Sequence, residues 1–288
     1  LNGLILANGT NTLDAATGGG AGGSVFLTTG ALTGGGAIRA CGGAGSGNSG
    51  PNPGGGGGRI SVIVTNSDSV GSVGLEALGG AYSIYGGGAG TIHVRTRSQE
   101  PGHGRLLINN GTVAANRNTD LSTNVSDTVV GDVVIRSNAT LQVNAQQTLT
   151  VNGSWSNTAS LLAQAGSIVA FAGTNPAPLF GNQSFAALTC TNAGKTLLFA
   201  AGSSNGAVEA LTLGGTNGNR LALRSTSDDS AWLRGAGNDT VQSVQWVDVR
   251  DSDARPGTVV TALYSLDNGN NSNWNFAVIG MTNTWTGG

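Results

Sequence analysis

Three stretches of the chain align without a gap: GGAGGSVFLTT from Gly19, GGGGGRISVIV from Gly54 and GGGAGTIHVRT from Gly86. Each puts a glycine run directly before a strand-like segment, and the unit returns about every 30 to 35 residues, a period that signals stacked or arrayed architectures. Equivalent residues of successive copies then fall into columns. Function is to be sought on those columns rather than in a single pocket.

Within each copy apolar residues alternate. Val25, Leu27 and Thr29 match Ile60, Val62 and Val64, then Ile92, Val94 and Thr96, a period of two that defines one buried face. The intervening residues, Ser24, Phe26 and Thr28, then Arg59, Ser61 and Ile63, then Thr91, His93 and Arg95, are expected to face water or a neighbouring chain, which makes His93 a surface residue. A weaker repeat matches AIRACGG from Ala37 to GLEALGG from Gly74. It puts Arg39 and Glu76 at equivalent outward positions, where an exposed ion pair would mark the register more than stabilise it.

The chain holds 50 Gly in 288 residues, with 10% charged and 5% aromatic residues. Glycine serves tight corners at positive φ and close stacking of backbones. A flexible linker would account for the glycine runs but not for the aligned strands. Thirteen basic against fifteen acidic residues, with Lys195 the sole lysine, leave no electrostatic footprint for nucleic acid or anionic lipid. No apolar run approaches the roughly 20 residues that span a bilayer. The start, LNGLILANGT, lacks both Met and a basic flank, so the chain reads as a mature product or an excised segment. Cys41 and Cys190 lie too many repeats apart to meet the ~7 Å Cα limit of a disulfide, which leaves pairing between chains as the alternative.

Four regions follow. Residues 1–111 are Gly-rich repeats, 112–130 a polar connecting segment, 131–276 a succession of short alternating strands, and 277–288 a C-terminal tail. The strands include Val133 to Ile135, Leu141 and Val143, Leu149 and Val151, Ile168 to Phe171, Leu197 to Phe199, Leu211 and Leu213, and Leu221 and Leu223. An antiparallel sandwich would favour two-residue Asn-Gly hairpins, whereas polar connections of varied length suit successive turns of a solenoid. The expected fold is all-β: a right-handed parallel β-helix with a Gly-rich N-terminal part. About twelve turns at ~4.8 Å spacing would make a rod roughly 60 Å long. The five tryptophans, Trp155, Trp232, Trp246, Trp274 and Trp285, are expected to fill or cap the core, since no regular spacing aligns them as a sugar-binding stripe.

GGSVFLTTGALTGGGAIRACGG, GGGGGRISV, NGSWSNTASLLAQAGSIVAFAG, FAALTCTNAGKTLLFAAG, LTLGGTNGNRLALRS, VQWVDVRDSDA and NNSNWNF together resemble the Gly-rich and β-helical repeats of large bacterial secreted and cell-surface proteins of the adhesin-like and autotransporter-like kind. The resemblance covers most of the chain and implies an exported β-helix, right-handed, that displays or builds surface structure. It transfers no active site. Such proteins often carry a C-terminal anchor or sorting tail, which this sequence does not display.

Candidate chemistry is sparse. Asn118-Thr119-Asp120, Asp228-Asp229 and Gly102-His103-Gly104 resemble fragments of a pectin hydrolase, but in the wrong order, and nothing sets Asp120 beside Asp228 within the ~5–10 Å that glycoside hydrolysis needs. Asp248, Asp251 and Asp253 could offer oxygen to Ca²⁺, and residues 235–241, GAGNDTV, resemble half of a calcium-binding nonapeptide. Calcium rolls need consecutive copies, and Arg250 and Arg255 can balance these acids instead. A Thr face for ice or another lattice fails because position 28 becomes Ile and then Arg in the next copies. Neither His93 nor His103 accompanies a nucleophile elbow. No catalytic, cofactor or metal residue is therefore assigned. The expected function is a non-catalytic extracellular module that joins end to end through apolar termini into a fibre or stalk, self-association being its partnership. The alternatives are a monomeric adhesin binding surface glycans, or a polysaccharide lyase or hydrolase.

Overall fold

The computed structural model describes residues 1–12, 17–46, 52–82, 85–234 and 241–277. Among them there is no helix: the protein is all-β, and every pair of strands but one is parallel. Strands Ser24–Thr29, Arg59–Val64 and Thr91–Arg95 are neighbours. Their register places Val25 beside Ile60 and Leu27 beside Val62, then Ile60 beside Ile92 and Val62 beside Val94. Equivalent residues of the repeat thus lie side by side. Ile60, Val62, Val64, Ile92 and Val94 are buried in one core, with Val25 and Leu27 packed against it. The weaker repeat forms a three-stranded sheet of Leu4–Leu6, Ala37–Arg39 and Gly74–Glu76. Arg39 sits beside Glu76 there, its Nε 2.8 Å from the carboxylate.

The glycine runs are extended segments in two rows. Residues 7–12, 40–45 and 77–81 follow the small sheet; residues 18–23, 53–58 and 86–90 precede the larger one. Within a row, the Gly9 amide donates to Cys41 O at 2.8 Å, Gly42 to Leu78 O at 2.8 Å and Gly22 to Gly56 O at 2.9 Å. Between rows, Gly43 donates to Gly20 O at 2.8 Å, Gly55 to Gly43 O at 2.9 Å and Gly80 to Gly55 O at 2.7 Å. The alternation has a period of three: Gly54 and Gly57 donate along the row, Gly55 and Gly58 across it. That is the repeat of polyproline II backbone, which forms no hydrogen bonds within itself. A Cβ at Gly55 would be driven into the carbonyl of Gly20, and one at Gly80 into that of Gly43.

The expectation that these runs supply positive-φ corners is therefore corrected in part. Glycines at positive φ, such as Gly34, Gly71 and Gly102, lie outside these two rows. The run glycines are required by close approach. The third position of the triplet is more permissive: Ala21 and Ala44 are accepted there, and a Cβ at Gly56 would meet nothing within 4 Å, although one at Gly88 would meet the carbonyls of Arg117 and Asn118. Asparagines supply the remaining partners. Asn8 Oδ1 accepts from the Cys41 amide and Asn11 Oδ1 from the Ala44 amide, both at 2.8 Å. Buried Asn110 closes the end of the stack: its Oδ1 accepts from Gly79 at 2.8 Å, and its Nδ2 donates to Gly87 O at 3.2 Å and to Val113 O at 2.9 Å.

The one antiparallel pair joins Thr91–Arg95 to Arg105–Asn109, with Ile92 opposite Leu107 and His93 opposite Leu106. Successive strand residues point to opposite faces. Leu107 accordingly packs on the first core, while Leu106 and Ile108 belong to a second one. Val133 and Ile135 pair beside Leu106 and Ile108 on that second side. A single eleven-stranded sheet therefore runs from Ser24–Thr29 to Leu266–Asp267, with the two cores on its opposite faces.

Beyond the reversal the chain visits its sheets in rotation. From Val133–Arg136 in the long sheet it passes to Thr140–Val143 in a three-stranded sheet, then to Thr148–Val151 in an eight-stranded one, and returns to the long sheet at Trp155–Asn157. Thr119–Leu121 and Val129–Val130, edge strands of the three- and eight-stranded sheets, lie in the polar segment between the two strand-rich regions. Alternate apolar residues fill the second core, among them Leu141, Val151, Phe171, Leu197 and Leu223. Trp155 and Trp232 are buried in it, Trp155 edge-on to Phe185 and Trp232 stacked on Phe199. Trp246 and Trp274 are partly exposed and stack on Tyr264 and Phe276; Trp285 lies outside the described residues. Both cysteines are free thiols, Cys190 in the second core and Cys41 in the glycine rows.

The triplet rule separates two adjacent substitutions. Gly55→Ala is expected to cost about 1–3 kcal/mol or more through overpacking, whereas Gly56→Ala should change stability by no more than about 0.5 kcal/mol. Denaturant unfolding of the two variants measures the difference; equal effects would contradict the row packing.

Candidate functional site

A cleft of about 660 Å³ opens where the second core begins. Its floor is apolar, made by Leu106, Ile108, Leu141 and Leu149. One wall is glycine backbone at Gly57, Gly58 and Gly90, continued by Ser24, Arg59, Thr91 and His93. These four side chains belong to the face of the sheet that points away from the first core, and the strand reversal brings the second core under that same face. Arg117, Asp120 and Asp127 add charged groups to the lining. The volume and the mixture of an apolar floor with a few polar groups match small-ligand clefts.

His93 is the half-buried titratable group of this wall. Burial pushes its pKa below the ordinary imidazole value, nearby Arg95 pushes the same way, and Asp127 opposes them. The ring is thus neutral at pH 7. Its Nδ1 lies 3.5 Å from Ser61 Oγ, a long contact. Thr119 is tied down by donation to Ala89 O at 2.6 Å, and Asn118 Nδ2 donates to Gln142 Oε1 at 2.8 Å. The arrangement offers donors, acceptors and an apolar surface, which suits binding.

The hydrolase-like fragments are not brought together. Asp120 lines the cleft. Asp228 and Asp229 are exposed and pair with Arg250 at 3.6 and 3.1 Å, and His103 Nδ1 lies 3.2 Å from Pro101 O. Four strands of the long sheet separate Arg105–Asn109, just after His103, from Leu221–Ser225, just before Asp228. The acids considered for Ca²⁺ also have partners. Asp248 meets Arg224 at 2.8 Å, Asp251 accepts from Asn270 Nδ2 at 2.8 Å, and Asp253 meets Arg255 at 2.6 Å, whose hydrogen bonds hold the Asp253 carboxyl below its usual range. Among the described residues no group of three His, Cys, Asp or Glu side chains is placed to hold a metal. Of the nonapeptide-like segment, residues 235–240 lie outside the described residues. Thr28, Ile63 and Arg95 do stand in one column, so no threonine ladder forms there.

Alternation alone made His93 a surface residue, because it reports which side faces the first core and not what covers the other side. A signal was present in Leu106-Leu107-Ile108, three consecutive apolar residues that no one-sided strand requires. Lys195, buried and donating from Nζ to Asn175 O at 2.7 Å, also escaped notice as a core residue. No described helix is long and apolar enough to cross a membrane. Comparison with family models, curated proteins and solved structures returned no match.

The lowered pKa of His93 has a pH consequence. The unfolded chain takes up the proton first, so His93 adds to stability above about pH 6.5 and loses that contribution as pH falls through the folded-state value. His93→Gln is therefore expected to flatten the fall in Tm between pH 7.5 and 5.0. An unchanged slope would place His93 in water.

Proposed function

We propose that the chain is a non-catalytic structural module of an exported bacterial surface protein, a right-handed parallel β-helix that stacks end to end with further modules into a fibre or stalk. The observation that carries this reading is the eleven-stranded sheet, to which the chain returns with offsets such as Val133 to Trp155, Leu197 to Leu223 and Asp248 to Leu266. The strand reversal is compatible with one hand throughout: turning the strand direction around while moving the core to the other face of the sheet leaves the sense of winding unchanged.

Assembly is supported by the first edge of the sheets. Leu4–Leu6 and Ser24–Thr29 are edge strands, and Leu4, Leu6 and Phe26 are 59%, 57% and 72% exposed. Unpaired edges with exposed apolar side chains are templates for strand addition, and Leu266–Asp267 and Trp274–Ala277 are edge strands at the far ends of the eleven- and eight-stranded sheets. The tail that the sequence suggested for this role lies, from residue 278 onward, outside the described residues. Negative-stain imaging tests the reading: head-to-tail particles are expected, with Phe26→Lys shifting them to single rods. Single rods at every concentration, or compact spheres, would contradict assembly or the rod itself.

The cleft favours a second reading, a rod that carries a glycan-binding site. In that case a glycan array gives a hit that Asp127→Asn or Arg117→Ala weakens at least tenfold. A blank array leaves the structural role as the sole reading.

A further inference from the structure

We infer that Arg234 holds one small monovalent anion, of the chloride class, inside the second core. A polar column runs through that core. Asn157 Nδ2 donates to Gln183 Oε1 at 2.9 Å, and Gln183 is in register with Asn205. The bridge between Ser204 and Leu233 then sets Asn205 next to Arg234. The amide ladder thus ends on a guanidinium. Arg234 is 2% exposed, and its Nε and both Nη atoms have no hydrogen-bond partner. Asn205 Oδ1 and Trp232 Nε1 are likewise buried and unpartnered. All three residues line one cavity of about 10 Å³, room for a single water-sized particle.

The chemistry of the cavity selects its occupant. Burial lowers the Arg234 pKa to about 10, so the group is charged at neutral pH. A charge taken from water without a partner is strongly disfavoured even after relaxation, and Arg234 forms no ion pair among the described residues. Guanidinium and indole together present six N–H donors against the one acceptor, Asn205 Oδ1. A water would accept some of these bonds but bring two protons for that one acceptor, and it would leave the charge uncompensated. A monatomic anion accepts the bonds, neutralises the charge and fits the volume. Carboxylates and phosphates are too large.

Thermal unfolding of the full chain at constant ionic strength, with chloride exchanged for gluconate, tests the site. A ligand that binds only the folded state stabilises it by mass action, so Tm is expected to rise by about 5 °C between chloride-free buffer and 100 mM chloride. Arg234→Met replaces the buried charge with an apolar side chain of similar length. It should abolish the chloride response and be at least as stable as wild type in gluconate. Crystals soaked in bromide should give an anomalous peak beside Arg234. Equal Tm in both salts, a chloride response that survives in Arg234→Met, or absence of the bromide peak overturns the inference.

Discussion

Hydrogen bonding between the backbones of equivalent residues in successive chain segments is the constraint on which the rest of the structure depends. In the strands it is the parallel ladder, which fixes side chains into columns and lets alternate positions build a core. In the glycine runs the same neighbour relation operates without side chains. In residues 53–58 one amide in three donates along its row and one in three across, and a Cβ at either kind of position there would collide with a carbonyl. Among the described residues up to Gly90, much of the interior is backbone against backbone, and the apolar side chains are concentrated on the strand faces.

The second organising feature is the reversal between Thr91–Arg95 and Arg105–Asn109. Extending one sheet while moving the core from one face to the other gives the molecule two interiors that share a wall. The cleft is a product of that exchange, since the outward columns of the first half become a wall beside the opening of the second core. The polar groups collected there, His93 above all, were placed by topology.

Much of this arrangement was legible in the sequence. The gapless repeat gave the register of Val25, Ile60 and Ile92 and the pairing of Arg39 with Glu76, because columns of like residues are what parallel stacking produces. Strands such as Ile168–Phe171 and Leu221–Ser225 were marked by alternation and flanking turn residues. The three-residue order of the glycine runs was not legible as such, since residues without side chains carry no hydropathy pattern; Ala21 and Ala44, at the permissive position, hinted at it, while Ala89, equivalent to Gly57, blurred it. The reversal was hidden for another reason. Pro101-Gly102 announces a turn, but whether the next strand pairs in parallel or antiparallel fashion is decided by what each face can bury, which local sequence does not state. Arg234 directly follows Ala231-Trp232-Leu233 and precedes glycines, with no alternation long enough to assign it a face, and only the register beside Asn205 revealed it as an interior residue.

Amide hydrogen exchange followed by NMR across residues 18–23, 53–58 and 86–90 tests the central constraint most directly. The account predicts a pattern with a period of three: slow exchange at Gly22, Gly55, Gly57 and Gly58, whose amides donate to neighbouring backbone, and fast exchange at Ala21 and Gly56. Uniformly fast exchange through all three runs, as in a flexible linker, would contradict it.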